Sequence, residues 1–317
     1  MTQIDKSRFE WIGSDSARRE GISRPSTTFW KDAVGRLMKN KVAVVCFFII
    51  VLLILSCIIV PFFSPFESRE QHLGEVNKGF MTVCTDSRYE GQHHVHYFGT
   101  DNLGRDLFLR AFEGGRVSLM IAFAAVFVNL IVGLIYGGIS GYIGGAVDTI
   151  MMRIVEIVNG IPYLIVVILL MMVLPKGIFT MVVAYGITGW TGMARLVRGQ
   201  VLQLKSQEYI VAAEAMGAKS SRIIAKHLIP NALSVIIINV TLAIPSAIFT
   251  EAFLSYIGLG VPVPQPSWGV LAKGGQDVFM TYPYQLVVPA VAISLTMLSF
   301  NLLGDGLRDA LDPKLKD

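Results

Sequence analysis

Charged residues are scarce in this 317-residue chain, and the sequence motifs of nucleotide hydrolysis are missing from it. Only 16% of the residues are charged, and the dipeptide Gly-Lys occurs nowhere. The chain therefore has no phosphate-binding loop of the GxxxxGK[ST] kind. The HExxH, GxSxG and CxxC patterns are absent as well. We therefore expect a chain that does not itself hydrolyse ATP and that carries no catalytic centre.

Cysteine is also rare. Cys46 and Cys57 lie in one apolar run, about three helical turns apart, which is too far for a disulfide bond. Cys84 is the only cysteine in the polar segment that follows this run. We expect no disulfide within the chain.

Apolar residues, in contrast, are abundant. They make up 53% of the chain, and the mean hydropathy is +0.58, more than one soluble core of this size can bury. Five runs approach the roughly 20 apolar residues of a membrane-spanning helix, and a sixth is shorter and more polar. The pattern predicts an all-α membrane protein of about six transmembrane helices. The predicted spans are residues 42–63, 117–142, 150–174, 177–194, 232–257 and 285–303.

The distribution of basic residues predicts the orientation. With the N-terminus in the cytoplasm, the inner segments carry nine, six and three Lys and Arg residues, and the outer ones six, one and one. This bias favours an N-in, C-in topology. The net charge of +4 then reflects inner segments beside anionic lipid, and we predict no nucleic-acid partner. The predicted segments are a cytoplasmic tail (1–41), a first span (42–63), an extracytoplasmic loop (64–116), a core membrane domain (117–303) with a cytoplasmic loop (195–231), and a cytoplasmic tail (304–317).

Several polar side chains lie within the predicted spans. A charge at mid-bilayer costs about 2.5–3.5 kcal/mol, so Arg153 and Glu156 should face protein or water, and their spacing allows an ion pair. They form either an ion pair at the membrane boundary or part of a solute pathway. The same two alternatives apply to Glu251, and Asn159 is a further candidate for the pathway.

Glycines recur at steps of four from the second predicted span onward. A helix with such a stripe lets another backbone approach closely. The stripe packs either within this chain or against a second membrane subunit. Its members are Gly133, Gly137, Gly141 and Gly145.

The extracytoplasmic loop contains HHVHYFGTDNLGRD. Three histidines within four residues can bind a transition metal, but an irregular loop rarely positions them without other ligands, so we predict no metal here. Asp101 and Asp106 flank Arg105 and can hold a glycine-rich turn that includes Gly99. We expect a structured outer element.

The stretch EYIVAAEAMGAKSSRIIAKHLIPN, residues 208–231, is too polar for a span and favours helix. Gly217 is placed to end the first helix in a left-handed cap, Ser220 or Ser221 to cap a second helix, and Pro230 to stop it. We predict a helix-turn-helix in the cytoplasm. Its amphipathic second helix suits either the membrane surface or a groove on a soluble partner.

This stretch resembles the "EAA" loop of bacterial ABC importer permeases, in the form found in the oligopeptide and dipeptide permease family. Three more stretches resemble the same family: HYFGTDNLGRD, FLSYIGLGVPVPQPSWG and GDGLRDALDP. The resemblance implies a coupling loop that docks on an ATPase subunit. The residues that match the family's motif are Ala212, Ala213, Gly217, His227, Pro230 and Asn231; we add Glu208, Glu214, Ala218 and Ser220 to the docking set.

The resemblance also implies a type I ABC importer permease fold in a bacterial cell membrane, surrounded by lipid. The implied partners are a homologous second permease, two ATPase subunits that bind ATP and magnesium in place of this chain, and an extracytoplasmic binding protein. The implied substrate is an oligopeptide, although the family also includes dipeptide, nickel and glutathione importers. Trp268, in VPVPQPSWG, is either a contact for the binding protein or part of a rigid loop.

The mechanism that the resemblance implies is alternating access. The alternative from a different class is an ion-coupled secondary transporter. Such a protein needs ionisable groups deep in several spans, and here only Arg153, Glu156 and Glu251 are available, none of them central.

Overall fold

Helices make up most of the described structure, as the apolar runs predict. The computed structural model describes residues 29–85 and 94–311. Its helices are α1 (Phe29–Lys39), α2 (Lys41–Phe63), α3 (Leu107–Ile143), α4 (Gly145–Gly160), α5 (Tyr163–Val173), α6 (Ile178–Thr188), α7 (Trp190–Lys205), α8 (Glu208–Ala215), α9 (Ser220–Ile223), α10 (Ile229–Tyr256), α11 (Trp268–Asp277) and α12 (Tyr284–Leu311). A 3-10 turn (Leu73–Glu75) and a two-stranded antiparallel sheet, β1 (Thr82–Val83) and β2 (Val95–His96), lie between α2 and α3.

Within the described residues, four helical segments are long and apolar enough to cross a membrane. They are α2, α3, α12 and the continuous run Ser220–Tyr256 that contains α9 and α10. The pair α4 and α5 adds a fifth span if its two helices are counted together. The all-α membrane class is therefore confirmed, and the number of spans is approximate.

The third predicted span, residues 150–174, is a bent pair of helices and not one rod. The axes of α4 and α5 meet at 79°, on either side of Ile161 and Pro162. Pro162 has no backbone N–H and disfavours helical dihedrals in the residue before it. Ile161 is accordingly extended, with φ −87° and ψ 119°.

The fourth predicted span, residues 177–194, corresponds to α6 and the start of α7. Gly189 joins the two helices with helical dihedrals, φ −72° and ψ −23°. Each helix alone is shorter than 18 residues, which is why neither counts as a span by itself. The glycines and threonines that weaken the apolar pattern lie around this junction.

Helix α3 begins ten residues before the predicted span, so the last part of the predicted extracytoplasmic loop, 64–116, is helical. The carboxylate of Asp106 caps the helix by accepting the Leu109 N–H at 2.7 Å. The predicted inner segments 1–41 and 304–317 are also partly helical, in α1 and α12. Residues 1–28 and 312–317 of these two tails lie outside the described residues.

The glycine stripe packs mainly against α7 of the same chain. A Cβ atom on Gly133 would lie 2.5 Å from the Met193 Cβ, and one on Gly141 would lie 2.9 Å from the Arg198 carbonyl oxygen. A Cβ atom on Gly137 would lie similarly close to the Ala194 carbonyl oxygen. The first of the two predicted alternatives, packing within the chain, is thus confirmed for these three glycines. Gly145 has φ +58° and begins α4.

Candidate coupling site and outer element

The predicted cytoplasmic loop, residues 195–231, contains a helix that ends in a Schellman turn. Gly217 has φ +81°, a backbone conformation that favours glycine. The Ala218 N–H donates to the Ala213 carbonyl at 3.1 Å, and the Gly217 N–H donates to the Glu214 carbonyl at 2.9 Å. The predicted first helix and its left-handed cap are confirmed. We call residues 206–231 the coupling site.

The underside of the coupling site is an apolar cluster. Ile210 of α8, Ile223 of α9 and Leu228 are all fully buried. They form one cluster with Val197 and Val201 of α7. Burial of each large aliphatic side chain contributes about 1.5–3 kcal/mol. The coupling site is therefore seated on α7 through its apolar face.

The opposite face is open. Tyr209 is 43% exposed, Val211 54% and Met216 82%. The sequence analysis did not assign Met216, which follows α8 and precedes the glycine turn. Of the predicted docking residues, seven are exposed, Ala218 and His227 are partly buried, and Ala213 lies on the buried side. The exposed ones are Glu208, Ala212, Glu214, Gly217, Ser220, Pro230 and Asn231.

The predicted second helix differs from the observed one at both ends. Lys219 occupies the N-cap position of α9, and among the described residues no side chain of Ser220 or Ser221 caps it. Pro230 does not stop the helix, because it lies in the first turn of α10, where a missing N–H is tolerated. A π turn (Ile224–Leu228) widens the helix just before it. The coupling site is thus continuous with a spanning helix.

Asn231 links the two parts of the coupling site. Its side-chain amide donates to the His227 carbonyl at 2.6 Å and to the Tyr209 hydroxyl at 3.2 Å. Asn231 itself is exposed. The hydrogen bond between Asn231 and Tyr209 holds the start of α8 beside the start of α10.

Two residues that the sequence analysis missed connect the coupling site to α3. The Tyr142 hydroxyl donates to the Glu214 carboxylate at 3.1 Å, and the Lys205 ammonium donates to the Tyr142 carbonyl at 2.6 Å. Tyr142 lies at the end of α3, so its hydrogen bond to Glu214 links α8 directly to that helix.

An ion pair joins the first turn of α4 to the middle of α7, and a hydrogen bond adds the C-terminal end of α3. Arg198 donates to both carboxylate oxygens of Asp148 at 2.5 Å, and the Ser140 hydroxyl donates to Asp148 at 2.5 Å. Fork-shaped pairs of this kind hold their geometry more firmly than single contacts. No pattern in the sequence predicts this pair, because the partners are 50 residues apart.

The four predicted pathway residues are not brought together. Arg153 and Glu156 form the predicted ion pair at 2.7 Å, with 74% and 57% of their side chains exposed. The amide of Asn159 contacts the Thr191 hydroxyl at 2.7 Å. Glu251 lies elsewhere, only 2% exposed, where it accepts a hydrogen bond from Ser255 at 2.7 Å. Glu251 is therefore buried among residues of the same chain and does not face an open pathway.

A cavity of about 720 Å³ lies among α1, α7, α10 and α12. Its polar lining comes from α7, α10 and α12, and of these polar residues the sequence analysis assigned only Asn231, as a docking residue. That lining includes Gln200, Asn231, Ser234, Asn239 and Arg308.

The predicted glycine-rich turn is present at the opposite end of α3 from the coupling site. The Asp101 carboxylate accepts the backbone N–H groups of Leu103 and Arg105, both at 2.9 Å, and the Arg105 side chain at 2.7 Å. Gly99 and Gly104 have φ +77° and +74°. Asp101 and Arg105 are each only 6% exposed, so they stabilise the turn. We call residues 64–106 the outer element.

A buried chain of polar side chains crosses the outer element. His96 lies between Asp106, at 2.7 Å from its Nδ1, and Glu75, at 3.1 Å from its Nε2. Burial lowers the pKa of His96, but the hydrogen bonds and charges of Asp106 and Glu75 outweigh this effect and raise it. Burial likewise raises the pKa of Glu75, and hydrogen bonds from Thr85, Cys84 and His96 lower it below its ordinary value.

Trp268 is not a surface contact. It is 1% exposed, and its indole N–H donates to the Ala111 carbonyl at 2.9 Å. Trp268 is the first residue of α11 and leaves almost no exposed surface for a binding-protein contact, while the alternative of a rigid loop stays a prediction. The exposed part of the same loop is Val263, at 70%, and its proline neighbours.

Comparison with known proteins decides the family. A family model described as "Binding-protein-dependent transport system inner membrane component" matches residues 129–317. The chain belongs to this family. A second model, "N-terminal TM domain of oligopeptide transport permease C", matches residues 28–79. The protein is an inner-membrane permease subunit of an ABC importer, and an ion-coupled secondary transporter is not favoured.

Several relatives are similar over most of their length. The oligopeptide transport system permease protein OppC of Bacillus subtilis is 49% identical and covers 100% of both chains. The dipeptide transport system permease protein DppC of the same organism is 48% identical, over 94% of this chain and 89% of its own. OppC of Escherichia coli is 42% identical, over 98% and 99%.

A solved structure supports the fold. A chain of the MetNI methionine ABC transporter, solved in inward-facing conformations, matches with a TM-score of 0.52 at 19% identity. The match covers 64% of this chain and 96% of that one. It shows the type I ABC importer permease fold that the resemblance implied.

Proposed function

We propose that this permease carries oligopeptides across the membrane, through a pathway that it forms with a homologous second permease. The observation that favours oligopeptides is the match of residues 28–79 to the N-terminal domain of oligopeptide permease C. Dipeptides are the second candidate substrate, because the dipeptide permease DppC is 48% identical. An extracytoplasmic binding protein delivers the peptide in either case.

Energy comes from two separate ATPase subunits, which bind ATP and magnesium. The coupling site docks on one of them through its exposed face. Its seat on α7, the Tyr142–Glu214 hydrogen bond and the Arg198–Asp148 pair support this proposal, because they couple the docked face to three helices. Closure of the ATPase dimer then rocks the two permeases between outward-open and inward-open states.

A copurification experiment tests the docking. Ala212 is exposed on α8, so Ala212→Arg places a bulky cation on the docking face without disturbing the buried side. We expect this variant to lose the ATPase subunits in pull-downs from solubilised membranes while it keeps the second permease. Gln203→Arg, an exposed change on α7 outside the coupling site, is the matched control. Retention of the ATPases by the Ala212 variant would contradict the docking.

A transport assay tests the substrate. The complete importer is reconstituted in vesicles with its binding protein, and uptake of a labelled tetrapeptide is compared with uptake of a labelled dipeptide. We expect ATP-dependent uptake of the tetrapeptide to exceed that of the dipeptide at least tenfold. A preference for the dipeptide would establish the second candidate instead.

A further inference from the structure

Three side chains of the outer element converge in a way that peptide transport does not explain. One nitrogen of His72, one carboxylate oxygen of Glu75 and the sulfur of Cys84 all lie within 4.8 Å of one another. His72 and Glu75 are 2% exposed and Cys84 is 8% exposed.

Separate backbone features hold these residues in place. His72 immediately precedes the 3-10 turn whose last residue is Glu75, so the two side chains are three residues apart. Cys84 follows β1, and its N–H donates to the His94 carbonyl at 2.8 Å as the sheet continues. Gly104 packs directly on the His72 carbonyl. The three ligand atoms are thus positioned by a turn, a sheet and a glycine contact.

Further hydrogen bonds orient the Glu75 carboxylate. One of its oxygens accepts from the Thr85 hydroxyl at 3.0 Å, and the other lies 3.3 Å from the Cys84 sulfur and 3.1 Å from His96 Nε2. His96 is in turn held by Asp106. Metal-binding carboxylates are commonly fixed by partners of this kind.

We propose that His72, Glu75 and Cys84 bind one Zn²⁺ ion. A thiolate, an imidazole and a carboxylate together suit zinc, whereas calcium and magnesium prefer oxygen ligands alone. Zinc–ligand bonds of about 2.0–2.3 Å place neighbouring ligand atoms roughly 3.3–3.8 Å apart, so the three atoms need to close by only about 1 Å. Zinc displaces the thiol proton of Cys84, which leaves to solvent. One tetrahedral position remains for a further ligand.

The metal fastens the outer element to a spanning helix. Glu75 binds zinc on one side and His96 on the other, and His96 contacts Asp106, the cap of α3. The polar chain from zinc to α3 therefore passes through two hydrogen bonds. Removal of zinc loosens the turn that carries His72 and Glu75 and strand β1 beside Cys84, and it leaves the coupling site, which packs on α7, unchanged.

Zinc analysis of the purified full-length chain tests the proposal. After removal of loosely bound metal, we expect about one zinc per chain by mass spectrometry, and at least a tenfold loss in Cys84→Ser and in His72→Gln. Cys46→Ser, a change at a buried cysteine in α2, is the matched control and retains its zinc. An equal zinc content in Cys84→Ser and wild type would overturn the proposal, as would a wild-type chain that takes up no added Zn²⁺.

A second measurement does not depend on the folding of the variants. The wild-type chain is stripped with a chelator and reloaded with Co²⁺, whose absorption reports thiolate ligation. We expect a sulfur-to-cobalt charge-transfer band, and a melting temperature that falls on chelation and recovers with Zn²⁺. A cobalt spectrum of oxygen and nitrogen ligands alone, or a melting temperature that chelation leaves unchanged, contradicts the site.

Discussion

The outer element and the coupling site are both short segments outside the long helices, yet they are held in opposite ways. The outer element is organised by buried polar groups, with His96, Asp106 and Glu75 almost completely removed from solvent. The coupling site is organised by buried aliphatic side chains such as Ile210, and its polar groups are exposed.

This difference matches the role of each segment. A buried polar network tolerates one arrangement, because each group left without its partner is costly. An apolar seat, in contrast, holds a segment in place and leaves its outer face available to a partner. The outer element is therefore built for a fixed shape, and the coupling site for docking.

The largest effect is expected from Asp106→Ala. The change removes the cap of α3 and leaves His96 buried without one of its partners. Loss of one member of a buried charged pair costs about 3–5 kcal/mol. Thermal unfolding in detergent measures this loss, and Asp305→Ala, at an exposed position of α12, is the control. A cost below about 1 kcal/mol would show that the polar network does not hold the outer element.

The next largest effect is expected from Ile210→Ala. Removal of this fully buried side chain from the seat of the coupling site costs about 2–4 kcal/mol, with detachment of α8 from α7. Limited proteolysis around residues 206–219 should accelerate at least tenfold. Val211→Ala, at a neighbour that is 54% exposed, should leave the cleavage rate unchanged. Equal rates in both variants would contradict an apolar seat.

A smaller effect is expected from two glycine substitutions, which should change stability in opposite directions. Gly217→Ala forces a side chain into a left-handed conformation and should destabilise the coupling site by about 1–2 kcal/mol. Gly192→Ala, on the exposed side of α7, should stabilise that helix by about 0.5–1 kcal/mol. Chemical unfolding of both variants measures the difference. If both substitutions changed the free energy of unfolding in the same direction, the Schellman turn at Gly217 would be contradicted.

The smallest effect is expected from Tyr142→Phe, which deletes the hydrogen bond to Glu214. A bond of this kind contributes about 0.5–1.5 kcal/mol, so exchange of the α8 amide hydrogens should become about two to tenfold faster. Tyr97→Phe in the outer element, at a residue that is 51% exposed, is the control. Unchanged exchange in α8 would mean that Tyr142 does not couple α3 to the docking face.

Local patterns predicted the turn at Gly217 but not the contacts between distant segments. Gly217 lies in a motif whose cap depends on neighbouring residues, and that prediction was confirmed. The buried position of Trp268 depends on a contact with Ala111, which lies 157 residues earlier in the chain. The Arg198–Asp148 pair has the same dependence, which explains why it was missed.

The sequence by itself determined the class of the protein, its apolar helices, the turn at Gly217 and the family. These follow from composition, periodicity and motifs within a few residues, because backbone conformation and solvent preference act locally. Only the tertiary structure decided the burial of Trp268, the Arg198–Asp148 pair, and the meeting of His72, Glu75 and Cys84. These arise from packing among segments that are distant along the chain, and packing depends on the whole fold.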